Sequence, residues 1–161
     1  MLKNPTAQSS KTCANQLLPP TMTNPKKTYI NTLLLLSALV TLFHALILLR
    51  VIPFEITWGG KLKTVEEMYV FETLSIVINV FFMFILLQKG EYIRYVMGRK
   101  TVNIILWIFF VIFVFNTVGN LFAETNFEKY FTLLTLLSAV LIWLIQRTGA
   151  APKDRSHGNS E

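Results

Sequence analysis

The chain has 161 residues, of which 53% are hydrophobic and 15% charged, and its mean hydropathy is +0.50. A water-soluble domain carries charge on about a quarter of its residues, so most of this surface is built for lipid. The net charge of +6 does not point to nucleic acid, because the basic residues stand in short stretches between apolar runs.

Cys13 is the single cysteine, which excludes an intramolecular disulfide and a cysteine-based zinc site. With histidine only at 44 and 157, a histidine-rich metal site is not expected either, and no cofactor is expected.

In chain order, residues 1–28 are rich in Thr, Asn, Gln, Ser and Pro and read as a disordered cytoplasmic leader. Met22 would serve as a translation start as readily as Met1. A first apolar segment then covers 29–52. It is too long for a signal-peptide core and runs into Arg50 and Pro53 with no small-residue cleavage site, so it reads as a retained transmembrane helix.

The following loop holds Pro53, Gly59 and Gly60, which favour a turn, and then Thr64 with Glu67 in capping-box spacing. That box predicts a second helix starting in the loop, with its apolar part over 68–87. A lone Gly-Gly pair marks a turn far more often than a phosphate site. A third segment covers 102–122 and a fourth 130–146, followed by a flexible cytoplasmic tail over 148–161. A span needs roughly 20 apolar residues, with about 17 as the lower bound, and all four segments qualify.

Charge sets the direction. Lys3, Lys11, Lys26 and Lys27 precede the first segment; Lys89, Arg94, Arg99 and Lys100 lie between the second and third; Arg147, Lys153 and Arg155 follow the fourth. The opposite loops hold only Arg50, Lys61, Lys63 and Lys129, accompanied by Glu55, Glu66, Glu67, Glu124 and Glu128. By the positive-inside rule both termini are cytoplasmic. The predicted fold is an all-α membrane protein, four helices in an up-down bundle over 29–147. Tyr and Trp residues near the segment ends suit the headgroup region, and Trp107 is the exception.

Polar residues gather toward the external side. Counted from the external ends, Arg50 and Asn120 lie about 3 Å deep, Glu72 about 6 Å, Asn116 about 9 Å, His44 about 12 Å and Asn79 about 16 Å. Each helix keeps its polar residues on one stripe: Ser37, Thr41 and His44 on the first; Glu72, Ser75 and Asn79 on the second; Asn116, Asn120 and Glu124 on the third. On the fourth, Thr132, Thr135, Ser138 and Ala139 form a small-residue packing surface.

Two readings follow. In the structural one, the asparagines bond between helices, Glu72 pairs with Arg50 near the rim, and His44 is satisfied by a neighbouring hydroxyl or amide. In the functional one, His44, Glu72, Asn79, Asn116 and Asn120 line a polar pocket open to the outside, with Arg50 and Glu124 at its rim. No nucleophile elbow, zinc signature or phosphate-cradling loop accompanies them, so no catalytic residue is assigned.

The run Ile56-Thr-Trp-Gly-Gly-Lys-Leu-Lys63, the run Glu66-Glu-Met-Tyr-Val-Phe-Glu72 with Ser75 and Asn79, and the runs Asn116-Thr-Val-Gly-Asn120 and Phe127-Glu-Lys129 resemble small, uncharacterised bacterial four-helix membrane proteins. The resemblance covers the first through the fourth helix and implies no activity. The helix count is also similar to that of small multidrug transporters, but those place their key glutamate in the first helix, where this chain has His44 and no acid.

The expectation is a multi-pass protein of a bacterial cytoplasmic membrane, not an enzyme, acting as a small binding or accessory component. Its partner is the lipid bilayer, with a homo-oligomer possible and no nucleic acid. The alternative is an oligomeric transporter or ion- or proton-translocating subunit using Glu72. An enzyme acting on a lipid or quinone comes third.

Overall fold

A computed structural model describes residues 24–54, 62–122 and 126–148, with the side chains of 126–128 left out. Glu124, Trp58, Gly59, Gly60, Cys13 and His157 lie outside the described residues, as do 1–23 and 149–161. All the regular structure described is helical: α1 (Pro25–Leu48), α2 (Val65–Lys89), α3 (Arg99–Leu121) and α4 (Asn126–Thr148). Each helix is long and apolar enough to cross a membrane. In hydrocarbon every backbone polar group must be satisfied within the segment, which a helix does by itself.

The helices run past the apolar bounds because their ends are set by caps rather than by hydropathy. Asn24 accepts from the Lys26 N–H, with Pro25 preset in the first turn, so Pro25 through Thr28 belong to α1 and not to the leader. At its other end α1 stops at Leu48, short of the expected residue 52. Arg50 has a φ of 58° there, and Val51 and Arg50 donate back to the carbonyls of Leu46 and Ile47 in a Schellman turn.

Thr64 and Glu67 form the predicted capping box: the Thr64 side chain accepts from the Glu67 N–H, and the Glu67 carboxylate accepts from the Thr64 N–H. A second Schellman turn closes α2, with Glu91 at a φ of 59° and Tyr92 bonded to the Leu87 carbonyl.

Packing is most extensive between α1 and α2 and between α3 and α4, with α4 also on α1, while among neighbouring helices α2 and α3 meet least. Successive helices are antiparallel. The start of α1 meets the end of α2, where Tyr92 donates to Asn31 at 2.6 Å, and Lys89 at the end of α2 reaches Asn103 near the start of α3 and Gln146 near the end of α4.

The main core fills only that end of the bundle. Ile30 and Leu33 of α1, Phe82, Ile85 and Leu86 of α2, Val102, Leu106 and Phe109 of α3, and Leu141, Ile142 and Ile145 of α4 make one buried cluster. At the opposite end a smaller cluster of Ile47, Leu62 and Met68 joins α1 to α2 alone. Large apolar side chains cover the outside on all four helices, among them Leu35, Val77, Phe115 and Leu133. Exposed apolar surface of that extent fits a lipid environment.

Candidate functional site

The space left by the main core is a cavity of about 420 Å³ in the half of the bundle that holds the end of α1, the start of α2, the end of α3 and the start of α4. All four helices line it. The five residues singled out in the sequence, His44, Glu72, Asn79, Asn116 and Asn120, are all on its wall, together with Ser37, Ser75, Thr135 and Ser138.

Its strongest contact joins α1 to α2. His44 Nδ1 lies 2.6 Å from Glu72 Oε2, with the His44 side chain 18% exposed and Glu72 fully buried. The separation is that of a hydrogen bond, in which an imidazole or imidazolium Nδ1–H donates to the carboxylate or a carboxylic acid donates to Nδ1. Ile47, one turn beyond His44, and Met68, one turn before Glu72, are both buried and roof the pair toward the helix ends.

Two expectations are corrected at this point. Glu72 does not pair with Arg50, whose guanidinium lies over the Tyr69 ring at 5.6 Å from its centroid. Nor does Glu72 lie at the end of its helix, because the capping box starts α2 at Val65 and puts Glu72 about 10 Å along it.

The asparagines behave differently from one another. Asn79 Nδ2 donates to the Ser75 carbonyl of its own helix at 3.0 Å. Asn116 and Asn120, on the opposite wall, have no hydrogen-bond partner among the described residues. The small-residue stripe of α4 is buried at Thr135, Ser138 and Ala139, and Thr117 of α3 donates to Thr135 at 2.9 Å, tying α3 to α4.

Aromatic rings bound the cavity. Phe82 packs against Phe109 at 4.5 Å between centroids and against Phe113 at 5.4 Å, separating the cavity from the main core, and Phe43 meets Phe131 at 5.4 Å between α1 and α4. The exposed lining residues, Ile78, Ile112 and Asn116, are all on α2 and α3, the least packed of the neighbouring pairs. Among the described residues the cavity therefore opens as a slot in the side of the bundle.

A second polar group lies at the other end and was missed in the sequence. The Lys89 ammonium is buried and donates to Asn103 Oδ1 at 2.6 Å and Gln146 Oε1 at 3.1 Å, while Gln146 Nε2 donates to the Asn103 carbonyl. Neighbouring Gln88 accepts from the Val96 and Met97 N–H groups and pins the connection between α2 and α3. Lys89 had been counted only as a loop charge, although a lysine and two amide side chains at helix ends can staple three helices at one level. In the same connection, burial first and then Glu91 hold the Tyr95 phenol above its ordinary pKa, with Arg99 opposing.

Among the described residues no cluster of three or more His, Cys, Asp or Glu is placed to hold a metal. Fold and surface together define a multi-pass membrane protein of four helices. No family model, curated protein or solved structure matches the chain.

Proposed function

We propose that the chain is a small, non-enzymatic binding or accessory component of a bacterial cytoplasmic membrane, with both termini cytoplasmic, and that its cavity holds a small ligand bearing hydrogen-bonding groups. The observation that carries this reading is the pair of amides at Asn116 and Asn120, set into a cavity at membrane depth with no partner among the described residues. Polar groups in hydrocarbon are costly unless bonded, so a bound group that bonds them would be strongly favoured.

The orientation is supported by charge: the Lys89 end of the bundle carries Lys26, Lys27, Arg94, Arg99, Lys100 and Arg147 against Glu91, whereas the cavity end carries Arg50, Lys63 and Lys129 with Glu66 and Glu67. The cavity would then lie in the external half.

The test is to purify the full chain from membranes and identify the small molecules extracted with it by mass spectrometry. A stoichiometric species present with the native chain and lost from the folded Asn116→Leu/Asn120→Leu variant is expected. Identical extracts from the two would refute the reading.

A second reading, a proton- or ion-translocating subunit working as a homo-oligomer, draws on the short His44–Glu72 contact inside the cavity. A path to the other face would have to pass the Phe82, Phe109 and Phe113 rings. Flux into liposomes that disappears in Glu72→Gln would favour it over the binding reading.

A further inference from the structure

We propose that the ligand is an amphiphile taken sideways from the bilayer, an uncharged hydrogen-bonding head on a long apolar chain, with the head in the cavity and the chain along the outer face of α3. The inference rests on the cavity being a binding site and adds the class of ligand and its route.

The route follows from where the cavity opens. Ile78 and Ile112, which edge the slot between α2 and α3, are 43% and 40% exposed. Both sit at mid-span, about 14 Å or more from either end of their helices, so what faces the slot is hydrocarbon and not water. A water-soluble ligand has no direct access there, whereas a lipid-dissolved one needs only to diffuse in the membrane plane.

The chain has a place to lie. Ile112 also borders a groove of about 400 Å³ on the outer face of α3, lined by Ile104, Trp107, Ile108 and Val111. Cavity and groove thus meet at one residue, with polar side chains only on the inner side and apolar side chains throughout the outer. Trp107 belongs to this groove, which accounts for the one tryptophan that fits no helix end. Its ring is held edge-on to Phe110 at 5.2 Å, and its indole N–H has no partner among the described residues.

The charge of the head follows from the lining. Among the described residues no lysine or arginine borders the cavity or the groove, and the cation that His44 could supply is engaged by Glu72. A phosphate or carboxylate head would find no free counter-charge and would face the Glu72 side chain. Hydroxyl, carbonyl and amide groups suit the Asn116 and Asn120 amides, which both donate and accept. A volume of about 420 Å³ falls within the range of small-molecule sites and is large enough for such a head.

The experiment uses the full chain in phosphatidylcholine nanodiscs with a monoacylglycerol carrying a diazirine in mid-chain, and maps the crosslinks by peptide mass spectrometry. Expected is saturable labelling over residues 104–112, displaced by unlabelled monoacylglycerol but not by phosphatidylglycerol. In Ile112→Trp, which fills the slot from an already exposed position, the labelling should fall about tenfold, equivalent to about 1.4 kcal/mol.

Leu133→Trp, on an exposed face away from the slot, should leave labelling unchanged and serves as the control for folding. Non-saturable labelling, equal for a diazirine phosphatidylglycerol and indifferent to Ile112→Trp, would mark ordinary surrounding lipid and overturn the inference. In that event, an Asn116- and Asn120-dependent molecule in the extracts would leave the cavity reading standing and remove only the lateral amphiphile. Loss of both results would remove both.

Discussion

Breaking the His44–Glu72 pair tests whether the cavity wall is a coupled unit. Glu72 is fully buried and His44 is 18% exposed, so the two single replacements are not equivalent. His44→Leu leaves a carboxyl group in the bundle without its histidine, and removing one partner of a buried pair costs about 3 kcal/mol or more. Glu72→Leu leaves an imidazole that can remain neutral beside the cavity, and losing one hydrogen bond there costs about 1–2 kcal/mol.

Replacing both by leucine removes the polar groups together and should cost less than the sum of the singles, because neither is left behind. The expected coupling energy is about 2 kcal/mol, well above the roughly 0.6 kcal/mol typical of neutral hydrogen bonds between membrane helices. Glu72→Gln, which can still bond His44, should keep most of the stability. Reversible unfolding in mixed micelles gives all four corners of the cycle. Additive single effects, or a Glu72→Leu penalty larger than that of His44→Leu, would refute the reasoning that Glu72 is the costlier group to leave without its histidine.

Further outcomes are expected at the other end. Asn103→Leu should destabilise more than Lys89→Met, by about 1–2 kcal/mol in the same unfolding assay, since it keeps a buried ammonium while deleting its 2.6 Å acceptor. Gly90→Ala should cost about 1–3 kcal/mol, because a Cβ there would come within 2.6 Å of the Tyr92 ring, which the bond to Asn31 holds in place. A smaller loss would show that Tyr92 moves freely. In a Cys13→Ser background, an impermeant maleimide should label Lys63→Cys in intact cells and Arg94→Cys only after permeabilisation. The reverse pattern would invert the proposed orientation.

The two ends of the bundle differ in how they are held. At one, Lys89, Asn103 and Gln146 bridge three helices above a continuous apolar core. At the other, α1 joins α2 through His44 and Glu72, α3 joins α4 through Thr117 and Thr135, and α1 meets α4 through Phe43 and Phe131, while α2 and α3 pack more sparsely.

Much of this was legible in the chain itself. Four apolar runs of spanning length specify four helices because hydrocarbon tolerates little else, and the Thr64 to Glu67 spacing specifies where α2 starts through local hydrogen bonds alone. The stripes of Ser37 and His44, of Glu72, Ser75 and Asn79, and of Asn116 and Asn120 were visible from helical periodicity, and all of these residues came to line one cavity.

What periodicity could not supply was the partner across the bundle. His44 rather than Arg50 meets Glu72, because α1 ends four residues early in a Schellman turn and Arg50 is carried away to the Tyr69 ring. The Lys89 staple depends on residues 14 and 57 positions apart in the chain, too far for any local pattern to reveal. The slot exists because α2 and α3 pack least of the four neighbouring pairs, which follows from how the other three neighbouring pairs fill the core. One-dimensional spacing determines which face of a helix is polar; only the packing of all four helices determines what that face meets.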